Sequence, residues 1–192
     1  MKNNIATLPV VEVTKRAQWR AWLKKHADTS SSIWLVTYKK ASGNRYVSYD
    51  DVVEEALCFG WIDSTARALD EERSMLLMAP RKTKSVWSLP NKKRVEKLIA
   101  AGLMTCRGLE KIEAAKADGS WDALNDSDAG VLSKDLVEAF DLAPGARKNF
   151  EAFPPGARRV ILGWIYSAKR PETRAVRIEQ IVAAAGRNER VR

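Results

Sequence analysis

Residues 57–94 read L-C-F-G-W-I-D-S-T-A-R-A-L-D-E-E-R-S-M-L-L-M-A-P-R-K-T-K-S-V-W-S-L-P-N-K-K-R, and the rest of the chain is organised around them. Trp61 to Leu69 alternates as a strand. Asp70-Glu71-Glu72 makes a turn, Arg73 to Ala79 returns as a second strand, and Pro80 ends it. Strict alternation puts Trp61, Asp63, Thr65, Arg67 and Leu69 on one face, with Ile62, Ser64, Ala66 and Ala68 on the other. A basic loop, Arg81 to Asn91, then leads into a helix. Ser88 suits its N-cap and Pro90 its first turn, Val95, Leu98, Ile99 and Leu103 supply its apolar stripe, and Gly102 stops it.

Upstream, residues 1–13 read as an extended lead-in with an edge strand through Val10, Val11 and Val13. Thr14 suits the cap of a helix whose stripe is Trp19, Trp22, Leu23 and His26. Ile33 to Val36 is uninterrupted apolar and reads as a central strand. Ser48 starts a further helix, with Asp51 completing a weak capping box. Val52, Val53, Ala56 and Leu57 form its apolar face, and Gly60 fits its C′ position. Downstream, a thinly striped helix spans about Thr105 to Ala117. Small polar residues and glycines interrupt every period over 118–132. After that the spacing is helical throughout, with starts at Ser133, Pro144 and Pro154-Pro155 and a break at Pro171. We therefore expect an α+β fold: a small antiparallel sheet with packed helices, followed by an all-helical C-terminal region. The expected division is 1–120, a linker at 121–132, and 133–192.

Seven tryptophans in 192 residues are enough to furnish a well-packed core. No run approaches the roughly 20 apolar residues of a membrane span, and the N-terminus does not read as a secretory signal. With Cys58 and Cys106 as the only cysteines, free thiols and a cytoplasmic location are expected. The net charge of +9 is local: residues 81–121 hold ten basic side chains against four acidic ones. That favours an anion-attracting surface over a generally basic tail.

The loop carries the densest polar chemistry. Arg81, Lys82 and Lys84 precede a helix N-terminus, where free N–H groups and the dipole favour anions. Ser85, Ser88 and Asn91 add neutral donors, Trp61 and Trp87 could wall a pocket, and Asp63 is a polar partner. The plainer reading makes Ser88 only a cap, Trp87 only core and the lysines only solvated. Basic residues interleaved with aromatics suggest nucleic acid weakly, because no zinc-finger spacing, RNA-recognition signature or phosphate loop accompanies them. His26, the single histidine, sits where structural roles are usual. Asp50, Asp51, Glu54 and Glu55 could gather a divalent cation, but four carboxylates on one helix are more simply a solvated face. We expect no metal and no cofactor; no known catalytic motif is present, the catalytic residues are left unassigned, and a Lys or Asp could still act as acid or base.

Several motifs resemble the YdeI/OmpD-associated, or bacteriocin-protection, family. They are F-G-W-I-D-S at 59–64, A-P-R-K-x-x-S-x-W-S-x-x-N at 79–91, R-V-E-K-L-I-x-x-G-x-M at 94–104, W-I-Y-S-A-K-R-P-E-T-R at 164–174 and R-I at 177–178. The resemblance covers roughly 12–188. It implies a YjbR/CyaY-like α+β N-terminal part, a helical C-terminal part, and a role in stress or antimicrobial resistance. It brings no catalytic residues. The expectation is a binding protein whose pocket at 81–94 takes a small anionic ligand. The alternative is a protein-interaction module in which helices of 144–185 present Arg158, Arg159, Lys169, Arg170 and Arg174 to an acidic partner. An enzyme acting on an anionic substrate is a weaker expectation.

Overall fold

The computed structural model describes residues 7–191, so the first six residues of the expected lead-in lie outside it. The chain divides into two compact units. One holds the residues up to Ser85 with Pro90–Ser120, and the other holds Val86–Leu89 with the residues from Trp121 onward.

The first unit is built on a four-stranded sheet of order β1-β2-β4-β3, with β1 (Val10–Glu12), β2 (Ile33–Tyr38), β3 (Trp61–Ala68) and β4 (Arg73–Pro80). The sheet is mixed, not purely antiparallel as expected. The chain leaves β1 through helix α1 (Arg16–His26) and re-enters at β2, and such a crossover delivers the second strand parallel to the first. The hairpin forms where expected. Asp70 accepts from the N–H groups of Glu72 and Arg73 and pairs with the Arg73 guanidinium, which builds the turn from one side chain. Strict alternation fails in β3. Asp63 lies opposite Met78 and Ala66 opposite Leu76, with a bulge between them. The extra residue transfers Arg67 to the opposite face from Asp63, so the two form no common patch.

The buried tryptophans of this unit are Trp19 on α1, Trp34 on β2 and Trp61 on β3, and α2 (Tyr49–Cys58) adds Val52, Val53, Ala56 and Leu57 to the core. Ser48 caps α2 as expected: its hydroxyl accepts from the Asp51 N–H at 3.1 Å. Trp19 is fully buried and donates its indole N–H to Val52 O, while Trp61 donates to Ala27 O. The two rings meet edge to face at 6.5 Å. Helices α3 (Leu89–Ala100) and α4 (Cys106–Ala117) follow. In α3, Val95 and Leu98 are buried, but Ile99 and Leu103 are exposed, so the stripe is narrower than expected. Helix α4 abuts the end of α2. The Thr105 hydroxyl and N–H both donate to Cys58 O, and Gly108 lies against that same carbonyl.

The second unit is helical, with α5 (Asn125–Ala129), α6 (Lys134–Asp141), α7 (Pro144–Ala152), α8 (Pro155–Tyr166) and α9 (Pro171–Gly186). The stretch 121–132 therefore contains a short helix, and Trp121 packs on Trp87 with ring centroids 5.0 Å apart. Leu136, Phe140, Phe150, Ile161, Ile165, Ile178 and Ile181 form the core. Proline at the start of α7, α8 and α9 sits where its missing N–H costs nothing.

A Cβ on Gly108 would fall inside the Cys58 carbonyl and 2.7 Å from the Met104 methyl, whereas one on Gly163 meets nothing within 4 Å. Gly108→Ala is therefore expected to destabilise by about 1–3 kcal/mol through overpacking. Gly163→Ala, inside a helix with open space, should stabilise by about 0.5–1 kcal/mol. Urea unfolding of both variants checks the pair, and equal effects would contradict the α2–α4 contact.

Candidate functional site

In the first unit, several loop residues share a polar network. Arg81 follows β4 with its N–H on Gly60 O at 2.9 Å, and its side chain is only 4% exposed. Its guanidinium donates to the Ser85 carbonyl and hydroxyl, both at 3.4 Å, and feels the Asp63 carboxylate. Burial, opposed by Asp63, pulls its pKa down to about 10. Asp63 accepts from the Tyr49 hydroxyl at 2.9 Å, and Arg94 lies 5.9 Å from the Tyr49 ring centroid. Arg94 also donates to Asn91 Oδ1 and pairs with Asp50. The structure thus links Arg81, Ser85, Asp63 and Asn91 through Tyr49 and Arg94. Tyr49 carries no sequence signal for this role, being an aromatic at the first position of a capped helix.

The expected pocket walls are absent. Trp61 is 0% exposed and packs edge-on against Trp19 and Trp22, so it offers no face to a ligand. Trp87 is 1% exposed, and with Ser88 it belongs to the second unit. Backbone donors of the loop already hold carboxylates of the chain itself. The Lys84 N–H donates to Asp118, and the Leu89 N–H donates to Asp128. Of the seven basic residues between 81 and 97, Arg81 and Lys92 are buried and Arg94 is paired, which leaves Lys82, Lys84, Lys93 and Lys97 on the surface. The acidic face of α2 is occupied as well. Arg16 pairs with Asp51, Glu54 and Glu55, and Arg20 pairs with Glu55. No cluster of three potential metal ligands occurs among the described residues. Cys58 is buried, and burial pushes its thiol pKa up, away from reactivity.

In the second unit the most open feature is an apolar groove of about 650 Å³ between α6 and α9. Ala139, Leu142, Ala175, Ile178 and Val182 line it. Leu142 is 90% exposed at its rim. The two helices carry three basic and five acidic side chains in a chain of net charge +9. Glu179 lines the groove. Arg174 also lines it but is spent in a two-pronged pair with Asp135 at 2.5 and 2.9 Å. Arg159 pairs with Asp128. Of the five cations expected to face an acidic partner, Lys169 and Arg170 are the fully exposed ones.

Residues 11–111, more than half of the 192, match the family model described as Domain of unknown function (DUF8412). The chain belongs to that family. Residues 130–188 match the model described as Bacteriocin-protection, YdeI or OmpD-Associated, in agreement with the motifs at 164–178. The YjbR/CyaY-like relationship expected for the N-terminal part finds no support, since its match is to the DUF8412 family instead. Comparison with curated proteins and with solved structures returns no match. No helix among the described residues is long and apolar enough to cross a membrane.

Two titrations test the geometry. Withdrawal from water and the bond to Asp63 push the Tyr49 pKa up to about 12. Asp63→Asn should bring it back toward the ordinary 10, read as tyrosinate absorbance, and an unmoved titration would exclude the contact. In the second unit, Arg174 holds the Asp135 carboxyl well below its ordinary 3.8. A depressed folded pKa means that this contribution is complete above 3.8 and lost as pH falls below it. The difference in melting temperature between the native protein and Asp135→Asn should shrink as pH drops through that window. A constant difference would argue against the pair.

Proposed function

We propose that this protein is a bacteriocin-protection-related binding protein whose helical unit captures a cationic, amphipathic peptide segment in the α6–α9 groove. The groove itself carries the reading. It is an open apolar trough of about 650 Å³ whose flanking helices are net acidic in a basic protein. A helix that lays an apolar stripe into such a trough keeps its lysines and arginines at the edge, beside Glu179. Antimicrobial peptides carry that pattern of apolar and basic faces. The match of residues 130–188 to the bacteriocin-protection model supports the same assignment, because it spans both walls of the groove. The unpaired thiols of Cys58 and Cys106 support a reducing compartment such as the cytoplasm.

A second reading keeps the loop, with Arg81, Lys82, Lys84, Ser85, Asn91 and Asp63 holding a small anionic group. The observation in its favour is the buried Arg81 guanidinium, whose charge an adjacent anion would stabilise.

Titration with a labelled leucine–lysine helical peptide and its leucine–glutamate counterpart tests the first reading. The lysine peptide should bind saturably and the glutamate peptide should not. Ala175→Arg, an exposed position in the groove, should weaken binding roughly tenfold, or about 1.4 kcal/mol. No saturation, or unchanged affinity in that variant, would contradict the reading.

A further inference from the structure

The first unit holds a cavity that neither the loop nor the groove explains. It has a volume of about 200 Å³, lies against the sheet, and is lined by Thr37, Tyr46, Val47, Val52, Ser74 and Leu76 among others. Thr37 and Ser74 face each other across β2 and β4 in the antiparallel register, on the same face of the sheet as the Leu35–Leu76 pair. Val47 and Val52 are buried behind them, while Tyr46 and Tyr49 stand exposed at the mouth. Among the described residues, the hydroxyls of Thr37, Ser74 and Tyr46 have no hydrogen-bond partner. Lys39, the charged lining residue, donates from Nζ to the Asp70 carbonyl at 2.8 Å and keeps its charge.

We infer that this cavity is a binding site for a small, uncharged planar ring bearing one hydrogen-bonding group, of the phenol or indole kind. Size comes first. A dry cavity of about 150 Å³ accommodates benzene, so the larger volume here takes a ring with a substituent or a second fused ring. Wall chemistry comes second. Valine and leucine side chains and two tyrosines match a flat apolar body, and aromatic rings pair favourably edge to face or offset. Polar chemistry comes third. Two neighbouring hydroxyls inside the cavity can each donate or accept, so one substituent O–H or N–H finds a partner there. No carboxylate lines the cavity and Lys39 keeps its positive charge, so a cationic ring would enter without compensation. This site is independent of the peptide groove.

The test is a titration of the full chain with phenol, with indole and with benzylammonium, followed by amide chemical shifts. Saturable shifts centred on Thr37, Val47, Val52 and Ser74 are expected with phenol or indole and not with benzylammonium. Thr37→Val keeps the side-chain shape and should weaken binding roughly three- to tenfold, the loss expected for one hydrogen bond. Ser74→Leu fills the cavity and should abolish it. Thr37→Val carries the test should Ser74→Leu fail to fold. Absence of saturation in the native protein, equal binding of benzylammonium, or affinity unchanged by Thr37→Val would each overturn the assignment.

Discussion

Glu55 is a buried carboxylate, 3% exposed, held from two sides by Arg16 Nε at 2.6 Å and Arg20 at 2.7 Å. The first unit depends on that clamp. It fixes α1 against α2, and with α1 in place Trp19 reaches Val52 O and meets the edge of Trp61. Arg20 extends the clamp to Leu103 O, tying the end of α3 to the same site. Only Glu55 is desolvated: Arg16 and Arg20 are about a third exposed, so loss of either leaves Glu55 paired to the other, and loss of both would leave an unpaired buried charge. A well-packed apolar replacement of the whole set can be neutral. The clamp therefore specifies which helix faces meet, and the burial of aromatic and aliphatic surface drives the folding. In the second unit a more exposed pair, Asp135–Arg174, joins α6 to α9.

This use of arginine changes what the net charge of +9 means. Arg16, Arg20, Arg73, Arg94, Arg107, Arg147, Arg159 and Arg174 each sit on a carboxylate. Charge counting in sequence cannot separate these structural cations from a ligand-facing set, because most of the partners lie tens of residues away. What remains at the surface of the loop is chiefly lysine, suited to diffuse attraction of anions but without the rigid fork of arginine. The groove between α6 and α9 differs in kind, with a defined apolar lining and Glu179 at its edge.

Local chemistry was legible in the sequence, and long-range geometry was not. Ser48 with Asp51 announced the start of α2, and Asp70 announced the hairpin, because caps and turns are set by side chains within three residues. The bulge after Asp63 was invisible, since a single extra residue is defined only by the register of the partner strand. The loop network was half legible. Arg81, Asp63, Ser85 and Asn91 share one polar network, but the burial of Trp61 and Trp87 depends on α1 and Trp121 and could not be read locally. The broad stripe of α9 held a clue of its own. Ile181 goes to the core and Ile178 serves both core and groove, while Ala175 and Val182 are left to line the groove.

The most direct measurement is a map of backbone amide shifts in the full chain as an unlabelled leucine–lysine helical peptide is added. Capture in the groove predicts the largest changes at Ala139–Ala143 and Ala175–Ala183, with the loop at 81–94 unmoved. Changes centred on that loop, or spread evenly over exposed acidic residues, would contradict it.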